Sequence, residues 1–112
     1  MRRSEDFGRT VRGGVRVGRP TLVLHAAPGA TQVGFVVGKN VGNAVVRNRV
    51  RRRLRHLAAA EVRRTAEPVS VVVRALPRAA TAPDEVATDF ASAWPQALAR
   101  LTRRTAAAGS PR

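Results

Sequence analysis

From Ala44 to about Arg64 the apolar residues recur with a helical period, and strand-forming runs stand on both sides of that stretch. At about 100° per residue, Val46, Val50, Leu54, Leu57 and Glu61 fall in one arc. A helix this long with one apolar stripe must lay that stripe on a sheet or on another helix. Asn48, Arg51, Arg52 and Arg55 fall within an arc of roughly 100° on the opposite side, and Arg49, Arg53 and His56 lie on a flank. The helix therefore has a side that must be buried and a ridge that must be solvated. Asn43 is placed to cap it, after a loop from Gly38 to Gly42.

The flanking segments supply the surface the stripe needs. Val15 to Ala27 reads as extended chain with a break at Arg19-Pro20, and Pro28-Gly29 marks a turn. Thr31 to Val37 reads as a strand with Val33, Phe35 and Val37 on one face and Gly34, Val36 and Gly38 on the other, a flat surface open to close approach. Glu67-Pro68 ends the long helix, and Val69 to Leu76 is a strand closed by Pro77. Residues 78–83 read as a loop. Pro83-Asp84-Glu85 then opens a last helix to about Arg104, with Val86, Phe90, Trp94 or Ala93, Ala97 and Leu101 inside and Pro95 predicted to kink or divide it. Near the N-terminus, Ser4-Glu5-Asp6-Phe7 reads as a helix start, with Phe7 and Val11 on one face and Gly13-Gly14 as the stop. The expected class is α+β, with three helices and a small mixed sheet. Residues 1–105 form a single domain, followed by a disordered tail over residues 106–112.

Charge narrows the function. The chain of 112 residues has 21 Lys and Arg against seven Asp and Glu, a formal net charge of +14. All but Lys39 of the basic residues are Arg, and residues 7–60 contain no acid at all. Six of the arginines lie between Arg47 and Arg55 with no carboxylate at i−4 or i+4 to offset them. Like charges so crowded strain the helix until an anion arrives, which points to a polyanion as partner. A guanidinium fork suits phosphate oxygens and stacks on bases.

Several kinds of chemistry are excluded. There is no cysteine, hence no thiolate metal site and no cysteine nucleophile. No apolar run has the length of a membrane span, and no secretory signal follows the basic start, so the expected location is the cytoplasm. Gly38-Lys39 is not a phosphate loop, because Val33 stands where the first Gly is needed and Asn40 where Ser or Thr is needed. The candidate metal ligands are Asp84, Glu85 and Asp89, which read better as complements to a helix N-terminus. His25 and His56 have no nearby acid in sequence. No catalytic residue and no metal site is expected in the protein itself.

The stretch Gly42-Asn43-Ala44-Val45-Val46-Arg47-Asn48-Arg49-Val50-Arg51-Arg52-Arg53-Leu54-Arg55 resembles the RNR motif of the protein subunit of bacterial ribonuclease P. Ser4-Glu5-Asp6-Phe7, Val33 to Lys39, and Ser70 to Ala75 followed by Pro77 resemble the family's first helix, central strand and last strand. The resemblance implies a fold like the second domain of the fifth small-subunit ribosomal protein, with a left-handed β-α-β crossover where the general rule gives a right-handed one. It also implies a division of labour: an RNA cuts the 5′ leader from precursor tRNA with Mg²⁺ held mainly by that RNA, and the protein binds both RNAs. Lys39, Asn43, Arg47, Asn48, Arg51, Arg52 and Arg55 match the RNA-contacting motif. Phe7, Val11 and His25 match a groove that takes the leader. The family often has aromatics where Val11 and His25 stand, so base stacking on that surface should be weaker here. The other readings are a ribosomal or other structural RNA-binding protein without processing activity, and a membrane-active or DNA-binding amphipathic helix. The second conflicts with the strands on either side, which need the same apolar stripe.

Overall fold

In the computed structural model the described residues are 14–109, with side chains described through residue 104. The helix predicted from Ser4 lies outside the described residues. Four strands form one sheet: β1 (Val15–Gly18), β2 (Leu22–Pro28), β3 (Gln32–Val36) and β4 (Val69–Ala75). Their order across the sheet is β1-β2-β4-β3. β2 is antiparallel to both β1 and β4, whereas β3 and β4 run parallel, with Val33 opposite Val71 and Phe35 opposite Val73. A parallel pair cannot be joined by a hairpin. The connection is α1 (Ala44–Arg64), so the long helix is the crossover of a β-α-β unit. The predicted α+β class with a small mixed sheet is the class observed.

Period-two alternation splits the sheet into two surfaces. Val17, Leu22, Leu24, Ala26, Val69, Val71, Val73 and Ala75 enter the main core, and Val33 and Phe35 pack against it from β3. Val50, Leu54 and Ala58 bring α1 to that same core. Leu57 and Glu61, in the arc expected to face the sheet, are half-buried at its margin. Ala58, outside the arc expected to face the sheet, is buried. Asn43 caps α1 as expected, its side-chain oxygen accepting from the Val46 N–H at 3.0 Å. At the other end the Thr65 N–H donates to the Val62 carbonyl at 3.1 Å.

The segment after β4 differs from the sequence reading. Residues 78–83 are not all loop, because α2 (Arg78–Thr81) forms a short helix there. Pro77 supplies a helical backbone angle before it, and Ala79 is buried beneath it. Then α3 (Pro83–Gly109) runs unbroken past Arg104, into residues that the sequence pattern assigns to a tail. Pro95 does not divide it. The carbonyl that loses its helical donor is that of Ala91, on the exposed side of the helix. Val86, Phe90, Ala93, Trp94, Ala97 and Leu101 are all buried in the core.

Polar bonds lock α3 in place. The Asp89 carboxylate accepts from the Thr21 N–H at 3.1 Å and the Thr21 hydroxyl at 2.7 Å, and Thr21 is fully buried. Arg19 donates to Ser92 at 2.9 Å and also to Gln96. Trp94 stacks on Phe90 and donates its indole N–H to Thr65 at 3.0 Å, which ties α3 to the end of α1. With its C-terminal end tied to α3 and its inner stripe in the core, α1 presents its outer residues as one display.

Candidate nucleic-acid interface

The display begins in the loop before the helix. Val41 N–H donates to the Gly38 carbonyl at 3.1 Å and Gly42 N–H to the Lys39 carbonyl at 3.2 Å, a tight turn that leaves Lys39 exposed. Gly42 abuts the first turn of α1 so closely that a Cβ there would lie 2.7 Å from Val46 Cγ1. Asn43 is exposed, and its oxygen is engaged in the cap.

Along α1 the structure brings the predicted residues together in part. Ala44, Arg47, Asn48 and Arg51 line one shallow pocket of about 190 Å³. Val45, Asn48, Arg49 and Arg52 line another of about 220 Å³. Asn48, Arg52 and Arg55 are exposed, while Arg47 and Arg51 are half-buried on the flank. Arg51 donates weakly to the Asn48 oxygen at 3.4 Å. Arg47 has its Nε enclosed with no hydrogen-bond partner among the described residues. Among the described residues no arginine from Arg47 to Arg55 forms an ion pair. The nearest acid on the helix, Glu61, faces Arg64 at 3.8 Å instead.

His25 is placed elsewhere. It alternates with the core residues of β2 and so points to the sheet face turned away from α1 and α3. It is buried, and its Nδ1 has no hydrogen-bond partner among the described residues. Arg16 sits opposite it on β1, and Arg74 lies two residues along β4 from Val72, the residue opposite His25. Burial first, then the charges of Arg16 and Arg74, hold the His25 pKa below its ordinary 6.5. Phe7 and Val11 lie outside the described residues. Arg16 and Arg74 were not singled out by sequence reading, although strand alternation places both on the face of His25.

The acids have structural partners. Asp89 is held by Thr21, and Arg78 grips Glu85 through two bonds of 2.8 and 2.6 Å, which holds that carboxyl below the usual carboxylate range. Among the described residues no three His, Cys, Asp or Glu side chains gather as a metal site. These donors do not fit a protein-held Mg²⁺.

Comparison with known proteins agrees with the geometry. The family model described as Ribonuclease P matches residues 1–98. The chain is 54% identical over 104 residues to the ribonuclease P protein component of Kocuria rhizophila, covering 89% of this chain and 92% of that protein. It is 45% identical over 116 residues to the protein component of Streptomyces bikiniensis, covering 92% and 94% respectively. The fold is similar to the solved ribonuclease P protein of Staphylococcus aureus, with a TM-score of 0.67, 22% identity, and 88% and 90% of the two chains covered. It is equally similar to that of Thermotoga maritima, with a TM-score of 0.67, 21% identity, and 92% and 94% covered. With its long helix bearing unpaired arginines and its similarity to those proteins, this chain belongs to the ribonuclease P family: it is the protein subunit of the ribonucleoprotein endoribonuclease that matures the 5′ end of tRNA.

Proposed function

We propose that α1 and the loop and cap before it grip the ribonuclease P RNA along Lys39, Asn43, Arg47, Asn48, Arg51, Arg52 and Arg55, and that the chain also receives the 5′ leader of precursor tRNA. The observation that carries the first part is the unpaired arginine ridge. Six cations within nine residues repel one another in the free protein and are relieved by phosphate. The leader runs over the sheet face that holds His25, with Arg16 and Arg74 beside it to meet the backbone charge. Phe7 and Val11 complete that groove in this reading, on the resemblance of their positions. His25 is buried within that face, so the exposed guanidiniums of Arg16 and Arg74 make the direct contact and His25 supports the surface between them.

The bond cleavage falls to the RNA and the Mg²⁺ it holds, in the cytoplasm. The protein lowers the Mg²⁺ requirement by supplying fixed positive charge beside two RNA backbones. The test is a processing assay with matched RNA, protein and precursor tRNA. The protein alone should leave the precursor intact, and should support cleavage by its RNA at low Mg²⁺. Cleavage by protein freed of RNA overturns the division of labour. Sedimentation with ribosomes and no effect on 5′ processing would instead mark a structural RNA-binding protein.

A further inference from the structure

The ridge uses only part of the basic surface of α1. Past Arg52, on the flank turned toward α3, lies an open cleft of about 430 Å³ lined by Arg49, Arg52, Arg53, His56, Leu57 and Ala87. Its floor is apolar: Leu57 is half-buried against the core, and Ala87 comes from the exposed side of α3. Its rim is three guanidiniums and an imidazole. None of these four side chains has an ion pair or side-chain hydrogen bond among the described residues. Of the α3 carboxylates, Glu85 is bound to Arg78 and Asp89 to Thr21, and Asp84 forms no ion pair with the rim among the described residues.

We propose that this cleft seats one unpaired nucleotide of the partner RNA, with its base on Leu57 and Ala87 and its phosphate on Arg49 and Arg53. The inference rests on the reading of α1 as an RNA-binding helix and adds a second contact surface to it. An apolar floor under planar guanidiniums fits the two halves of a nucleotide, a flat π-face and an anion. A carboxylate-rich peptide would satisfy the rim and leave the floor uncovered. Arg52 lines both this cleft and the pocket with Asn48, so an RNA lying along the ridge is already beside the cleft mouth.

The full chain can be titrated with adenosine 5′-monophosphate, ribose 5-phosphate and an acidic hexapeptide while its amide and arginine side-chain signals are followed by NMR. Adenosine 5′-monophosphate should shift Leu57, Ala87, Arg49 and Arg53, and bind about fivefold or more tighter than ribose 5-phosphate, the low end of what stacking one base contributes. Ala87→Trp fills the cleft from an exposed position without changing charge, and should abolish that preference. Arg53→Gln should weaken both nucleotide and sugar phosphate. Equal binding of ribose 5-phosphate, tighter binding of the peptide, or unchanged nucleotide affinity in Ala87→Trp each overturns the proposal. Assembly with the ribonuclease P RNA separates the two readings. If the wild-type chain does not assemble, the ridge reading fails. If it assembles and both Ala87→Trp and Arg53→Gln assemble as tightly, only the cleft reading fails.

Discussion

Replacing Arg51, Arg52 and Arg55 together by Ala should make the free protein more stable while it weakens RNA binding. The three side chains take part in four like-charge pairs at helical spacing: Arg47–Arg51, Arg51–Arg55, Arg49–Arg52 and Arg52–Arg55. At about 0.2–0.5 kcal/mol for each pair, their loss stabilises the free helix by about 1–2 kcal/mol. None of the three enters the core, so no cavity forms to offset that gain. In a domain of this size the melting temperature should rise by about 4 °C or more. In RNA binding the sign reverses. Six arginines neutralising about six phosphates give a slope of log affinity against log salt of about −4 to −5, and losing three gives about −2 to −3. Between about 50 and 200 mM salt the wild-type chain should lose roughly 250- to 1,000-fold in affinity, and the variant only about 15- to 60-fold. Thermal melts of the free chain and a salt series with the RNA measure both effects. A variant that melts lower, or that keeps the wild-type slope, refutes the argument that unpaired arginines are held in strain for phosphate.

His25 gives a pH signature. Its folded pKa lies below the ordinary 6.5, so the unfolded chain takes up the proton first. Stability is therefore fully present above pH 6.5 and falls as pH drops toward and through the folded value; His25→Leu should flatten that fall in denaturant midpoints measured from pH 7.5 to 5, and an unflattened fall assigns it to other groups. Asp89→Ala strands the buried N–H and hydroxyl of Thr21 and should cost about 2–4 kcal/mol in urea melts, with Asp89→Asn costing less because one acceptor remains. Leu54→Ala, at a fully buried position, should cost about 2–5 kcal/mol without changing the salt slope once binding is corrected for the folded fraction. Gly42→Ala forces a Cβ against Val46 and should both destabilise the chain by about 1–3 kcal/mol and weaken RNA binding, because the first turn of α1 must move; unchanged binding would separate that turn from the interface.

Much of this protein was legible before its structure because helices and strands print their periods on the chain. The stripe of α1, the inner side of α3 and the two faces of β3 follow from spacing alone, and so does the concentration of arginine on one helix. Local chemistry also gave Asn43 as the cap, since an Asn side chain ahead of an apolar-periodic run meets a free N–H. What spacing does not carry is which elements meet. Nothing local tells Thr21 that its partner is Asp89, or Trp94 that its indole finds Thr65, because the pairs lie 68 and 29 residues apart. The same holds for His25, whose neighbours Arg16 and Arg74 come from two other strands and are joined only by register. The short helix at Arg78 escaped the sequence reading because it depends on Ala79 finding a buried seat, not on a repeating pattern. The sequence by itself determined that the chain carries an unpaired line of arginines on an amphipathic helix. The tertiary structure decided where that line is held, and it opened the cleft beside Ala87, because a surface between two helices exists only once both have packed on the same sheet.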